Sequence, residues 1–174
     1  MIKIEGPLTK KTSSGLKAGQ EVLYTGEVIA ARDQAHKRIT AALSSKKKIP
    51  FNLKDAVIYY VGPTPGRTKG RLGSAGPTTS SRMDAFTPAL LRSGLTGMIG
   101  KGNRSSEVVR AMKKYGAVYF AAIGGAAAYL GKRIEKAEVI AYPELGAEAV
   151  RRLYVRDFPL IVAIDSRGRN AYKT

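Results

Sequence analysis

Four consecutive hydroxyl side chains followed by an arginine form the part of this sequence best suited to bind a small anion. Residues 76–84 read Gly-Pro-Thr-Thr-Ser-Ser-Arg-Met-Asp, and we call them the hydroxyl turn. The Gly-Pro pair favours a turn, the hydroxyls donate and accept hydrogen bonds, and the guanidinium of Arg82 offers a planar fork for a carboxylate or phosphate. This composition fits either an oxyanion-binding cradle or a polar surface loop.

Two further cations stand where a ligand can approach the main chain. Arg32 lies where a predicted strand passes into a predicted helix, so an anion there would meet a guanidinium and a helix N-terminus together. By composition alone, an exposed helical arginine is the commoner explanation. Lys101 lies between two glycines, which let a ligand come close to the backbone. It does not form a Walker A phosphate loop, because a glycine follows the lysine where serine or threonine is required.

Asp33 and His36 are three residues apart on the same predicted helix and would share one face. An acid–base pair is one interpretation of this spacing. Helix capping by Asp33 and a hydrogen-bonded imidazole at His36 explain the pair equally simply. We therefore leave both residues outside the predicted site.

The candidate residues are predicted to lie on alternating strands and helices. Apolar runs predict strands at residues 22–29, 56–61, 117–123, 138–142 and 160–164, and helical spacing predicts helices at residues 31–43, 89–92, 106–115, 126–132 and 147–153. Residues 62–77 are rich in glycine, proline and basic side chains, and a loop of that length is usually functional. The alternation predicts an α/β fold with several parallel strand pairs.

Composition limits the chemistry that this chain can perform alone. Its 174 residues predict a single domain spanning residues 1–174. It contains no cysteine, so it can hold neither a thiolate-bound metal nor an iron–sulfur cluster by itself. Its one histidine, His36, cannot build a metal site unaided. Any iron–sulfur chemistry would need ligands from another chain.

The net charge of +17 attracts anions of any kind. Nucleic acid, small anionic substrates and an acidic partner subunit are all compatible with it. Exposed aromatics interleaved with basic residues, which favour nucleic acid, are missing because most tyrosines lie in apolar segments. A salt-dependent gel shift would test that alternative. The N-terminus has no signal-peptide h-region and no stretch predicts a membrane span, so we expect a cytoplasmic protein.

The hydroxyl turn resembles the signature Gly-Pro-Thr-Thr-Ser-x-Arg-Met-Asp of the C-terminal domain, or separate β subunit, of class I iron–sulfur fumarate hydratases. The related L-tartrate dehydratases share this signature. Further blocks resemble the family in the same order along the chain, at residues 25–36, 60–65, 98–102, 119–128 and 155–159. Because the blocks keep the family's order and are spread over most of the chain, from residue 25 to residue 159, the resemblance is specific.

This resemblance implies a fold, an activity and a partner. The implied fold is α/β, a three-layer β/β/α "swivelling" domain with mixed sheets. The implied reaction is the reversible hydration of fumarate to (S)-malate, with a dicarboxylate as substrate. The family's other polypeptide, a cysteine-bearing α subunit, carries a [4Fe-4S] cluster on three cysteines, and the open iron acts as a Lewis acid. A hetero-oligomer with that α subunit is therefore expected, with neither nucleic acid nor a membrane as partner.

The resemblance also implies roles for five residues. It maps Arg32, Thr79, Arg82 and Lys101 onto substrate-binding positions, and Thr78 onto the base that takes a proton from a carbon of malate. It maps no metal ligand onto this chain. L-Tartrate dehydratase remains an alternative because it shares the same motifs. A structural subunit without activity is a weaker alternative, since the set Thr78, Thr79, Arg82 and Lys101 is intact.

Overall fold

Within residues 1–123 and 125–173, which the computed structural model describes, the chain forms seven β-strands, five α-helices and two 3-10 helices. The strands are β1 (Ile2–Glu5), β2 (Glu21–Ala30), β3 (Val57–Tyr59), β4 (Gly97–Gly100), β5 (Val118–Ala122), β6 (Ile134–Ala141) and β7 (Val150–Ile164). The α-helices are α1 (Lys10–Gly15), α2 (Asp33–Ser44), α3 (Thr87–Arg92), α4 (Ser106–Tyr115) and α5 (Ala127–Lys132). The 3-10 helices cover Ser80–Met83 and Pro143–Glu148.

Five of the strands close into a ring with the order β2-β3-β4-β5-β7, because β7 pairs with both β5 and β2. Strands β2 to β5 run parallel to their neighbours in that series, whereas β7 is antiparallel to both of its ring partners. Strand β1 extends the sheet beside β2, and β6 extends it beside β7. The carboxyl ends of β2, β3 and β4 therefore meet at one edge.

The layers of the fold pack together through two hydrophobic cores. One lies inside the ring and includes Tyr59 and Phe120. The other lies between the outer face of the ring and helices α2, α3 and α4, and includes Ile39 and Met112. Successive residues of β3 alternate between them, since Ile58 belongs to the second core and its neighbour Tyr59 to the first. Two β layers and one helical layer confirm the predicted three-layer β/β/α arrangement with mixed strand directions.

The predicted helix at residues 147–153 is wrong, because β7 begins at Val150. Alanine, glutamate, arginine and leucine in this segment favour a helix. Strand β7 nevertheless pairs with β2 on one side and β6 on the other, and this pairing outweighs the local preference. The predicted strand at residues 138–142 belongs to a longer strand that begins at Ile134. Strand β1 and helix α1 were not predicted.

The segment at residues 62–77 is an ordered turn rather than a structureless loop. Backbone hydrogen bonds of 3.0 Å join Thr64 to Ser74 and Gly73 to Thr64. The Arg71 guanidinium donates to the backbone carbonyl of Glu135 at 2.8 Å, which fastens the turn to β6. The helix predicted after the glycine pair begins at Ala127, and Gly124 lies outside the described residues.

In the part of the chain that the structure describes, no helix is both long and apolar enough to cross a membrane.

Candidate active site

The carboxyl ends of three parallel strands bring the candidate residues together. Strand β2 ends two residues before Arg32, and β4 ends immediately before Lys101. The hydroxyl turn lies between them, because the Thr78 N–H donates to the carbonyl of Tyr60 at 2.8 Å just beyond β3. Ligands of open α/β sheets bind beyond this end of the strands. Strand order thus brings Arg32 and Lys101, which are 69 positions apart in the sequence, to the same edge of the sheet.

The hydroxyl turn is joined to the end of β4 by main-chain hydrogen bonds. The Lys101 N–H donates to the carbonyl of Thr78 at 3.3 Å, and the Ser80 N–H donates to the carbonyl of Lys101 at 2.9 Å. These bonds form a short parallel bridge between Thr79 and Lys101. Thr78, Thr79 and Lys101 therefore form one continuous surface.

Glycine at position 100 is required for this close approach. A Cβ there would lie 1.9 Å from the Ser80 Oγ and 2.8 Å from the Tyr60 ring. The buried Ser80 hydroxyl lies 2.8 Å from the Tyr119 hydroxyl, which itself donates to the carbonyl of Gly102 at 2.7 Å. Because the single phenolic proton is used in the latter bond, Ser80 is the donor in the former. Ser80 thus anchors the turn.

Arg82 and Arg32 both lie near the start of helix α2. Arg82 forms an ion pair with Asp33, the first residue of that helix. The Arg32 Nε lies 3.9 Å from a Glu148 carboxylate oxygen, too far for a hydrogen bond. A Cβ at Gly62 would lie 2.7 Å from an Arg32 terminal nitrogen, so the glycine makes room for the guanidinium. Both arginines are therefore held near carboxylates of this chain.

Several polar groups of the site remain available for a ligand. Among the described residues, the Arg32 Nε is buried without a hydrogen-bond partner. Within the same residues, the hydroxyls of Thr78 and Thr79 make no hydrogen bond, and no carboxylate lies within 4.0 Å of the Lys101 amine. The side chain of Arg82 is 50% exposed. An anion with two carboxylates could accept hydrogen bonds from these arginine, lysine and threonine side chains.

The surface is open rather than enclosed. Thr79, Arg82 and Lys101 are all exposed in this chain. A cavity of about 520 Å³ lies elsewhere, between β6, β7 and the tip of the 62–77 turn, and none of the five candidate residues lines it. Enzymes usually exclude water from reacting groups. These side chains are, by contrast, accessible from solvent in this chain.

His36 supports the site from the core, as its interpretation as a hydrogen-bonded helical imidazole predicted. Its Nδ1 lies 2.8 Å from the carbonyl oxygen of Arg32, and its ring meets the edge of Tyr60 at a centroid distance of 5.4 Å. Burial lowers the pKa of His36 to about 4 despite the bond to Arg32. The imidazole is therefore neutral, and Nδ1 carries the proton that it donates to the Arg32 carbonyl.

We expect His36 to make the chain less stable below neutral pH. Because its folded pKa of about 4 lies below the unfolded value of 6.5, the unfolded state binds the proton more readily, and stability falls as pH drops from about 6.5 to 4. His36→Asn keeps a donor near Nδ1 but does not titrate. Urea unfolding at pH 7 and pH 5 should show the parent losing about 2 kcal/mol more than the variant. Equal losses would contradict a neutral buried imidazole.

Three functional contacts were not predicted. Asp33, interpreted as a helix cap, instead pairs with Arg82 through its side chain. Glu148 approaches Arg32 from a segment 116 positions later in the chain. Arg104 is buried under the hydroxyl turn. No spacing rule joins residues this far apart, so only the tertiary structure identifies these partners.

The described residues contain no group of three or more His, Asp or Glu side chains placed to hold a metal ion. With no cysteine in the sequence, this chain also has no thiolate for an iron–sulfur cluster. The residues present therefore do not fit a [4Fe-4S] cluster held by this chain.

Comparison with known proteins supports the family resemblance over the whole chain. The family model described as Fumarase C-terminus matches residues 1–174. A Methanocaldococcus jannaschii protein named as an L(+)-tartrate dehydratase β subunit is 38% identical, over 95% of this chain and 88% of its own length. The anaerobic class I fumarate hydratase of Escherichia coli is 40% identical, over 86% of this chain but 28% of its own. Fumarate hydratase 2 of Leishmania major is 37% identical, over 98% of this chain and 31% of its own.

The chain thus spans about a third or less of the length of the fumarate hydratases that it matches, and most of the tartrate dehydratase subunit. The likeness therefore concerns one part of the longer proteins. Since the family model covers every residue, the resemblance inferred from the separate motifs is confirmed. This chain belongs to the Fumarase C-terminus family.

Proposed function

We propose that this chain is the β subunit of a class I fumarate hydratase, a hydro-lyase that adds water reversibly to fumarate to give (S)-malate. One observation carries the proposal. Three cations, Arg32, Arg82 and Lys101, and the hydroxyls of Thr78 and Thr79 lie beyond the carboxyl ends of the parallel strands. That set of groups matches a small dicarboxylate.

In this proposal the cations bind the substrate carboxylates. The Arg82 fork suits two-point contact with one carboxylate, and the partly exposed Arg32 guanidinium offers donors to the other. Lys101 adds a compact positive charge on a flexible stem. Each charge-assisted contact contributes roughly 1.5–3 kcal/mol. The local balance of three cations against Asp33 and Glu148 leaves the surface attractive to anions.

The two threonines have different proposed roles. Thr79 donates a hydrogen bond to a substrate carboxylate. Thr78 takes the proton from C3 of malate, the carbon next to the one that loses the hydroxyl. A free threonine hydroxyl is a very weak base, so it needs a neighbouring acceptor or strong positive charge to act this way. The nearby cations supply part of that charge, and the proposed partner supplies the remaining groups.

The proposal divides the chemistry between two polypeptides. A [4Fe-4S] cluster would supply Lewis-acid chemistry from a cysteine-bearing α subunit, because this chain has no thiolate to ligate it. The exposed site residues are the surface that such a subunit would cover. The complex would be a cytoplasmic hetero-oligomer whose reaction is a step of the tricarboxylic acid cycle.

We expect the purified chain to fold but to show no hydratase activity and no iron–sulfur absorbance. Anaerobic mixing with its cysteine-bearing α subunit should restore turnover, because the site then gains its second wall and its cluster. Fumarate loss, followed by ultraviolet absorbance, measures the outcome. The α subunit alone is the control and should also be inactive. Substantial turnover by the lone β chain would refute the proposal.

L(+)-Tartrate dehydratase is the second candidate, because the relative of nearly the same length carries that name. Tartrate differs from malate by one hydroxyl, and the residues of this surface do not distinguish the two. Steady-state assays of the reconstituted complex on malate and tartrate would separate the candidates. A higher kcat/KM for tartrate would reassign the substrate while leaving the site unchanged.

A further inference from the structure

Arg104 is a charged side chain buried directly beneath the candidate site. Its guanidinium is fully shielded from solvent, with a side-chain exposure of 0%. It lies three residues after Lys101 and immediately before the serine that caps helix α4. Burying a cation is costly unless it is paired and hydrogen-bonded. Its contacts therefore indicate what the charge is used for.

The polar contacts of Arg104 reach the C-terminal end of the hydroxyl turn. Its Nε donates to an Asp84 carboxylate oxygen at 2.7 Å, and an Nη donates to the Thr87 hydroxyl at 2.8 Å. The second Asp84 oxygen accepts from the Ser105 N–H at 2.8 Å. Asp84 directly follows the 3-10 helix that carries Arg82. The ion pair thus ties the end of the turn to the segment that follows Lys101.

The guanidinium lies over the rings of the two tyrosines that hold the turn. The central carbon of Arg104 lies 5.2 Å from the Tyr60 ring centroid and 5.0 Å from that of Tyr119. The Tyr60 carbonyl accepts from the Thr78 N–H, and the Tyr119 hydroxyl is bonded to Ser80. Cation–π contacts with buried rings are among the stronger examples of their kind. One side chain therefore contacts both of these tyrosines and the aspartate at the end of the turn.

We infer that Arg104 is a positioning residue, which fixes the hydroxyl turn and Lys101 relative to each other so that their side chains act on one substrate. The inference rests on the proposed function for its kinetic consequence. Lysine cannot replace arginine here, because it lacks the planar fork that meets Asp84, Thr87 and two rings together. Small errors of position are costly, since a displacement of about 1 Å at a reacting group can lower the rate about 100-fold.

The test is Arg104→Lys in the complex with the α subunit. We expect kcat/KM for the active dicarboxylate to fall at least 10-fold at a temperature well below the unfolding midpoint. The matched control is Val155→Ala in the core of the ring, which also removes buried contacts but lies away from the turn. That control should lower the midpoint and leave kcat/KM within twofold. A kcat/KM unchanged by Arg104→Lys would make Arg104 a purely structural residue and overturn the inference.

Hydrogen exchange of the full chain tests the same inference without any activity. Arg104→Lys should speed exchange at the amides of Thr78, Ser80 and Lys101, whose bonds join the two segments, while Val155→Ala should not. If Arg104→Lys does not fold, Asp84→Asn removes the ion pair with little change of shape and should have the same effect. Unchanged protection at these amides would refute positioning by Arg104. A parent complex inactive on both fumarate and tartrate would refute the proposed function alone.

Discussion

Replacing Thr78 by valine should lower kcat of the assembled enzyme by ~10²–10⁴-fold, the usual contribution of a general base. Valine keeps the shape of threonine but has no hydroxyl to take the proton. Thr78→Ser keeps the hydroxyl and should retain a measurable fraction of the activity. Exchange of the malate C3 proton with deuterated solvent, followed by NMR, measures the proton-transfer step directly.

The structure indicates that Thr78→Val removes the hydroxyl without disturbing the turn. Within the described part of the chain, Thr78 holds the turn through its main-chain N–H and carbonyl, and its hydroxyl makes no hydrogen bond. The valine variant should therefore keep the geometry of the turn and the stability of the parent. Thr79→Val is the matched comparison, and should raise KM more than it lowers kcat, as expected for a binding residue. Exchange at the parent rate in Thr78→Val would exclude Thr78 as the base.

The layers of the fold could be predicted from sequence because burial leaves a local pattern. Strand β3 and its flanks form an apolar run because successive side chains enter different cores. Helix α4 runs from Ser106 to Tyr115, the range that its apolar spacing predicted. The ring could not be predicted in this way, since its closure depends on β7 meeting β2 more than 120 positions away in sequence.

The candidate site could be predicted only in part, for the same physical reason. Lys101 and the hydroxyl turn were chosen as candidates because each carries local chemistry on a backbone suited to ligand approach, and Arg32 was chosen through the family resemblance. Their partners carry no such signal. Asp33 is of a residue type that commonly caps helices, and Glu148 lies in an ordinary polar segment. Their role can be recognised only in the folded chain, where each lies beside an arginine.

Arg82→Lys should lower kcat/KM of the assembled enzyme by roughly 10- to 100-fold, although the charge is kept. The reason is the lost fork, since a charge-assisted two-point contact is worth roughly 1.5–3 kcal/mol. The stability of the folded chain should change little. The Arg82 side chain is half exposed, and ion pairs such as the one with Asp33 contribute at most about 1 kcal/mol at a surface. Paired measurements of kcat/KM and of the thermal midpoint test both halves of this expectation.

The control for this experiment is Arg156→Lys, which changes another exposed arginine in an ion pair. Arg156 donates to Glu135 at 2.6 Å and 3.3 Å, and its side chain is 57% exposed. It lies on β7, away from the ends of β2, β3 and β4, so its replacement should leave kcat/KM unchanged. If both variants lose activity equally, the loss reflects general electrostatics and not substrate binding by Arg82. If the thermal midpoint collapses only in Arg82→Lys, the pair with Asp33 is structural, and Arg82 leaves the proposed site.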